Sequence, residues 1–163
     1  MLYAASIRIN TIDYLLCMRG KVEWMKDMSF IASGDSNRYT ILDFSDDKEQ
    51  QKGSSPTEML LQAMCGCTAM DVLSILKKKK EPVVGLEVIA DGTRAPEHPK
   101  VFTDINLEYV VHGKVKQESL DRAISLSQEK YCNISIILKR GGVRINVTSK
   151  IIEDPVPSGS TGR

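Results

Sequence analysis

The chemistry most open to this chain lies in two cysteines, Cys67 in Gly66-Cys67-Thr68-Ala69-Met70-Asp71 and Cys132 in Glu129-Lys130-Tyr131-Cys132-Asn133. A thiol that a peroxide oxidises to a sulfenic acid is rescued when a second thiol reaches it and closes a disulfide. Two cysteines on separate helices of one small domain supply such a pair. A buried cysteine taken alone is ordinarily a small hydrophobe, so its surroundings must argue for reactivity. Residues two apart on a helix point roughly 200° away from each other, so Cys65 and Cys67 form neither a local disulfide nor a zinc half-site. Cys67 shares its helix face with Ala63, Asp71 and Ser74, a comparatively polar stripe. Cys65 lies with Leu61, Ala69, Val72 and Leu76 and reads as core. Cys132 falls at a helix boundary, where free N–H groups of a following short helix favour a thiolate.

The elements that must position these thiols are readable in outline. Ser55-Pro56-Thr57-Glu58 is a capping box, with serine at the N-cap, proline at the first helical position and glutamate three residues after the cap. From Met59 to Leu76 the helix is apolar on nearly every side, the pattern of a helix surrounded by protein. Glu81-Pro82 ends it. Lys77 to Lys80 then fall at the helix C-terminus, where positive charge complements the dipole. Val83 to Ala90 and Val101 to Val111 are expected to form a hairpin, and Gln117 to Tyr131 a helix with Leu120, Ala123, Ile124, Ser127 and Tyr131 on one face. Asn133 to Lys139 reads as a further helix stopped by Gly141-Gly142, and Val143 to Ile151 as a last strand. Upstream, Lys21 to Lys26 and Tyr39 to Phe44 read as strands of an antiparallel meander separated by the turn Ser33 to Asn37, and Ser45 to Ser54 as a solvated loop.

Length and charge limit the remaining possibilities. The 163 residues suit one domain with a real core, and a formal charge of +1 gives no sign of a nucleic-acid or anionic-membrane surface. Four cysteines without paired zinc-type spacing argue for reduced thiols and a cytoplasmic setting rather than a secreted disulfide framework. Asn133-Ile134-Ser135 and Asn146-Val147-Thr148 match the glycosylation tripeptide but lack a secretory context. Residues 1–17, interrupted by Arg8, Asn10 and Asp13, are neither a signal peptide nor a membrane span, and read as an N-terminal extension or the product of an upstream start codon. Residues 153–163 have the composition of a flexible tail, leaving 18–152 as the domain.

Three separated stretches, Gly66 to Asp71, Glu97-His98-Pro99-Lys100-Val101-Phe102-Thr103 and Glu129 to Cys132, resemble the OsmC/Ohr family, and the similarity is nearest to its OsmC-like branch. The resemblance implies an α+β fold built as an intertwined homodimer, with two long central helices enclosed by antiparallel-rich sheets. It implies a thiol peroxidase that reduces organic hydroperoxides without a metal or organic cofactor. Cys67 matches the peroxidatic position and Cys132 the resolving one, and dithiols such as lipoyl groups are the implied reductant. Family members also use an arginine and a glutamate beside the peroxidatic sulfur. Arg38 is the candidate arginine, with Arg19 and Arg94 as competitors. The glutamate position holds Thr57, with Glu58 one place later. Nine residues of helix put Glu58 roughly 13 Å along the axis from Cys67, so capping explains it better unless an opposite subunit brings it closer. Glu129 is a weaker candidate to tune Cys132, and His98 is left outside the catalytic set. The alternative reading is a non-enzymatic, stress-related OsmC-like protein that holds a small apolar ligand in its dimer groove. A redox sensor is less supported, because no DNA-binding or docking element is evident.

Overall fold

The computed structural model describes residues 18–153. The order is β1 (Gly20–Lys26), β2 (Ser29–Gly34), β3 (Tyr39–Leu42), α1 (Pro56–Lys78), β4 (Val83–Arg94), β5 (Phe102–Gly113), α2 (Gln117–Leu126), a π-helical turn (Ser127–Tyr131), α3 (Asn133–Arg140) and β6 (Arg144–Ile152). Expectations for residues 1–17 and for the tail beyond Glu153 lie outside the described residues. The chain divides within the first turn of α1 into two compact units, 1–58 and 59–163.

In the first unit β1, β2 and β3 form an antiparallel meander. The meander has three strands where two were expected, because Ser29 to Gly34 is itself a strand and the turn is confined to Gly34–Asn37. That turn closes with Asn37 N donating to the Gly34 carbonyl at 2.9 Å, and Asn37 adopts φ 53°. Tyr39 to Phe44 likewise yields a strand only as far as Leu42. The carboxylate of Asp43 then gathers the following loop, accepting from Phe44 N and Lys52 N, each at 2.8 Å. The segment read as a solvated loop contains a single 3-10 turn, Lys48–Gln50, capped by Asp47.

The capping box forms in both directions. Ser55 N donates to Glu58 Oε2 at 2.7 Å, and Glu58 N donates to Ser55 Oγ at 3.4 Å. At its other end α1 closes in a Schellman arrangement: Lys80 N reaches the Lys77 carbonyl at 3.0 Å and Glu81 N the Leu76 carbonyl at 3.0 Å. Lys80 takes the left-handed position at φ 59°, where glycine is usual.

In the second unit β5 is the central strand, antiparallel to β4 and parallel to β6. Parallel pairing requires a long crossover, and α2 and α3 supply it. Ile105, Leu107, Tyr109 and Val111 alternate along β5, all fully buried. They form one core with Met64, Val72 and Leu76 of α1 and Leu120, Ala123 and Ile124 of α2. Gly113 ends β5 at φ 123°, where a Cβ would collide with the Pro82 carbonyl.

Within one chain α1 is less enclosed than its composition suggested. Only Met64, Thr68, Val72 and Leu76, one stripe at a spacing of four, are buried, while Met70 is 74% exposed. By length and hydropathy α1 would pass for a membrane span. Its stripe instead packs on the sheet, as a core helix does.

Candidate functional site

The crossover from α2 to α3 is the feature that builds the site. The expected single helix from Gln117 to Tyr131 is instead an α-helix to Leu126 followed by a π turn. Cys132 N donates to the Ser127 carbonyl at 2.8 Å, five residues back, so the last turn is wide. This widening points Ser127 and Gln128 into the core and delivers Cys132 as the N-cap of α3. Cys132 is fully buried, and its Sγ accepts from Ser135 N at 3.5 Å and from Ser135 Oγ at 3.2 Å. A thiol thus does at α3 what serine or aspartate does at most helix starts.

Cys67 comes from the middle of α1. Its Sγ, the Sγ of Cys132 and a carboxylate oxygen of Asp71 all lie within 4.8 Å of one another. The Cys67 thiol reaches Asn133 Oδ1 at 3.7 Å. Burial pushes this thiol above the ordinary value of 9.0, contact with Cys132 pushes it further, and the Ile134 N–H acts in the opposite sense. Both sulfurs therefore sit over the first turn of α3. Cys67 is half-buried and Cys132 wholly enclosed, so access to the pair is from the Cys67 side.

Asp71 lies one turn beyond Cys67 on α1 and anchors a buried chain of hydroxyls. Ser127 Oγ donates to Asp71 Oδ2 at 2.9 Å. A hydroxyl has one proton, so Thr68 Oγ1 must donate to Ser127 Oγ at 2.8 Å, and the Tyr109 hydroxyl in turn to Thr68 at 2.5 Å. Gln128 Nε2 donates to Thr68 at 3.2 Å and to Tyr109 at 3.0 Å. Burial pushes the Tyr109 phenol up to about 12, which keeps it a donor. The chain Tyr109, Thr68, Ser127, Asp71 has one consistent direction and ends beside the two sulfurs.

The other expected site residues are placed differently. Glu58 is held by Ser55 in the capping box, and the Ser55 hydroxyl and amide hold its carboxyl below the usual range. Arg38 is an exposed residue immediately before β3 in the first unit. Glu129 accepts from Ser125 Oγ at 3.1 Å, a contact along its own helical surface. Cys65 is half-buried against the core, and burial pushes its thiol upward.

Asp71 was visible in the sequence as a neighbour of Cys67 on one helix face. Ser127 had been placed on an apolar stripe, and Tyr109, Gln128 and Ser135 had not been singled out. Tyr109 carried a signal, since it is the one phenol in the inward-facing register that Ile105, Leu107 and Val111 otherwise fill.

Comparison with known proteins agrees with this architecture. Residues 48–148 match the family profile described as OsmC-like protein. Protein YhfA of Escherichia coli strain K12 is 36% identical over 132 residues, covering 80% of this chain and 94% of YhfA. The chain belongs to the OsmC-like family. Its α+β fold is the OsmC/Ohr fold. A hypothetical protein from Aquifex aeolicus VF5 superposes with a TM-score of 0.76 at 27% identity, covering 85% of this chain and 98% of that one. The organic hydroperoxide resistance protein OhrB of Bacillus subtilis shares the fold more distantly, with a TM-score of 0.57 at 16% identity, covering 83% of this chain and 99% of OhrB.

Proposed function

We propose that this OsmC-like protein is a cytoplasmic thiol peroxidase that reduces organic hydroperoxides through Cys67 and Cys132. The observation that carries this reading is the approach of the two sulfurs to within 4.8 Å at the start of α3, with only Cys67 open to an incoming molecule. The Cys67 thiolate attacks the outer oxygen of the hydroperoxide, the O–O bond breaks, and the alkoxide takes up a proton to leave as the alcohol. Cys67 is then a sulfenic acid. The Cys132 sulfur displaces its hydroxyl group, forming a disulfide and releasing water. An external dithiol of the lipoyl type returns both sulfurs to thiols.

Burial and the neighbouring Cys132 oppose ionisation of Cys67. The first-turn N–H of Ile134 acts in the opposite sense and stabilises the Cys67 thiolate. Arg38 is the proposed source of a further positive charge at the reacting oxygen, and Glu58 the proposed acid near the Cys67 sulfur, brought closer by the opposite subunit of a homodimer. The apolar surface of α1 left open in one chain, with Leu60 37% and Met70 74% exposed, supports a second copy covering that helix. Steady-state consumption of cumene hydroperoxide with a dihydrolipoyl reductant tests the activity, and sedimentation tests the homodimer. Turnover by a two-chain species supports the account. Absence of turnover would leave a non-enzymatic protein holding a small apolar ligand as the better description.

A further inference from the structure

We propose that Cys67, Cys132 and Asp71 form a three-ligand site for a thiophilic divalent cation of the zinc type in the reduced protein. The inference uses the same thiols as the peroxidase reading but does not rest on it. Three ligand atoms from α1 and the start of α3 lie within 4.8 Å of one another. Tetrahedral zinc holds sulfur at about 2.3 Å and carboxylate oxygen at about 2.0–2.2 Å, which sets neighbouring ligand atoms about 3.5–3.8 Å apart. Ligand atoms already within 4.8 Å must close by at most about 1 Å to reach that spacing. Two sulfurs and one oxygen select zinc, cadmium or cobalt over magnesium or calcium, and three protein ligands leave a fourth position for water.

The outer shell that such a site needs is already built. Ser127 Oγ holds Asp71 Oδ2 at 2.9 Å, itself ordered by Thr68 and Tyr109, leaving the other carboxylate oxygen for an ion. Ser135 N and Oγ orient the Cys132 sulfur. Cys67 is oriented by Asn133 Oδ1 at 3.7 Å, a contact that its thiol proton makes and that metal binding replaces. Each bound ion displaces one proton from each thiol, so two thiols and one M²⁺ give the dithiolate complex and two protons. An occupied site and a Cys67–Cys132 disulfide exclude each other.

The test is an anaerobic titration of the full-length reduced protein with Co²⁺, followed by displacement with Zn²⁺. One cobalt per chain is expected, with sulfur-to-cobalt charge-transfer absorption that zinc abolishes. The band should disappear in Cys67→Ser and in Cys132→Ser, persist in Cys17→Ser and Cys65→Ser, and require about tenfold or more cobalt in Asp71→Asn. Absence of the band in the wild type, or its survival in either Cys67→Ser or Cys132→Ser, overturns the site, and unchanged affinity in Asp71→Asn removes Asp71 from it. Should a variant unfold by circular dichroism, alkylation of the wild type decides: Zn²⁺ must slow modification of Cys67, the accessible thiol of the pair, and an unchanged rate at Cys67 overturns the proposal. No peroxide enters these experiments, so a protein that binds no cobalt yet forms the disulfide with a hydroperoxide loses only the metal site.

Discussion

Cys67 and Cys132 stand 65 positions apart in sequence, yet their sulfurs lie within 4.8 Å, one from the middle of α1 and the other capping α3. A disulfide requires a sulfur–sulfur distance of about 2.05 Å, so closing it needs movement of the Cys67 side chain or of the first turn of α3, with the sheet left in place. The two residues differ in access, and this assigns them different consequences on mutation. Cys67→Ser is expected to abolish hydroperoxide consumption. Cys132→Ser should permit one oxidation of Cys67 and then stall or proceed to the sulfinic acid, read by intact mass as the addition of one and then two oxygens. Equal consumption by Cys67→Ser and wild type would contradict the assignment.

Thr68 is the hub of the buried network, touching Tyr109, Ser127 and Gln128. Thr68→Val preserves shape but leaves a hydroxyl and an amide short of partners. We expect a loss of about 1–3 kcal/mol in urea unfolding. Thr68→Ser retains the oxygen and should lose clearly less. A Thr68→Val variant as stable as the wild type would show that these hydrogen bonds make no net contribution.

The cap of α1, the β4–β5 hairpin and the start of α3 were legible because each has a local cause: Ser55 with Glu58, two long runs of β-branched residues, and a break after Tyr131. The strand Ser29 to Gly34 was missed because its own end merges into a turn-rich stretch and only Phe30 and Ile31 are large and apolar. The π turn was missed because a bond from Cys132 N to the residue five back leaves no trace in hydrophobic spacing. The thiol pair and the acid one turn beyond Cys67 were legible. The hydroxyl chain was not, because it depends on which strand residue of β5 faces α1, a non-local fact.

Asp43 offers a stability test controlled by pH. The Lys52 amide foremost, then the Ser29 hydroxyl and Phe44 amide, hold its carboxyl below the ordinary value of 3.8, against an opposing effect of burial. A carboxyl lowered on folding stabilises the native state above its unfolded value and loses that contribution as the pH falls through its folded value. The stability gap between wild type and Asp43→Asn should therefore be constant near neutral pH and shrink below about pH 4. A gap that stays constant down to the acid transition would contradict this.

Lys80 occupies a left-handed backbone position at the end of α1 with φ 59°. Lys80→Gly removes the steric cost of a Cβ there, partly offset by greater freedom of the unfolded chain. A net gain of about 0.5–1 kcal/mol is expected in chemical denaturation. Destabilisation would mean that the lysine side chain contributes more at the helix end than its backbone costs.

Whether the two sulfurs form one redox couple is read by peptide mass spectrometry of the reduced protein after one equivalent of cumene hydroperoxide, with hydrogen peroxide for comparison. Rapid loss of two hydrogens mapping to a Cys67–Cys132 bridge is expected, faster with the organic peroxide. Both thiols remaining reduced, or a bridge that instead involves Cys65 or Cys17, would contradict it.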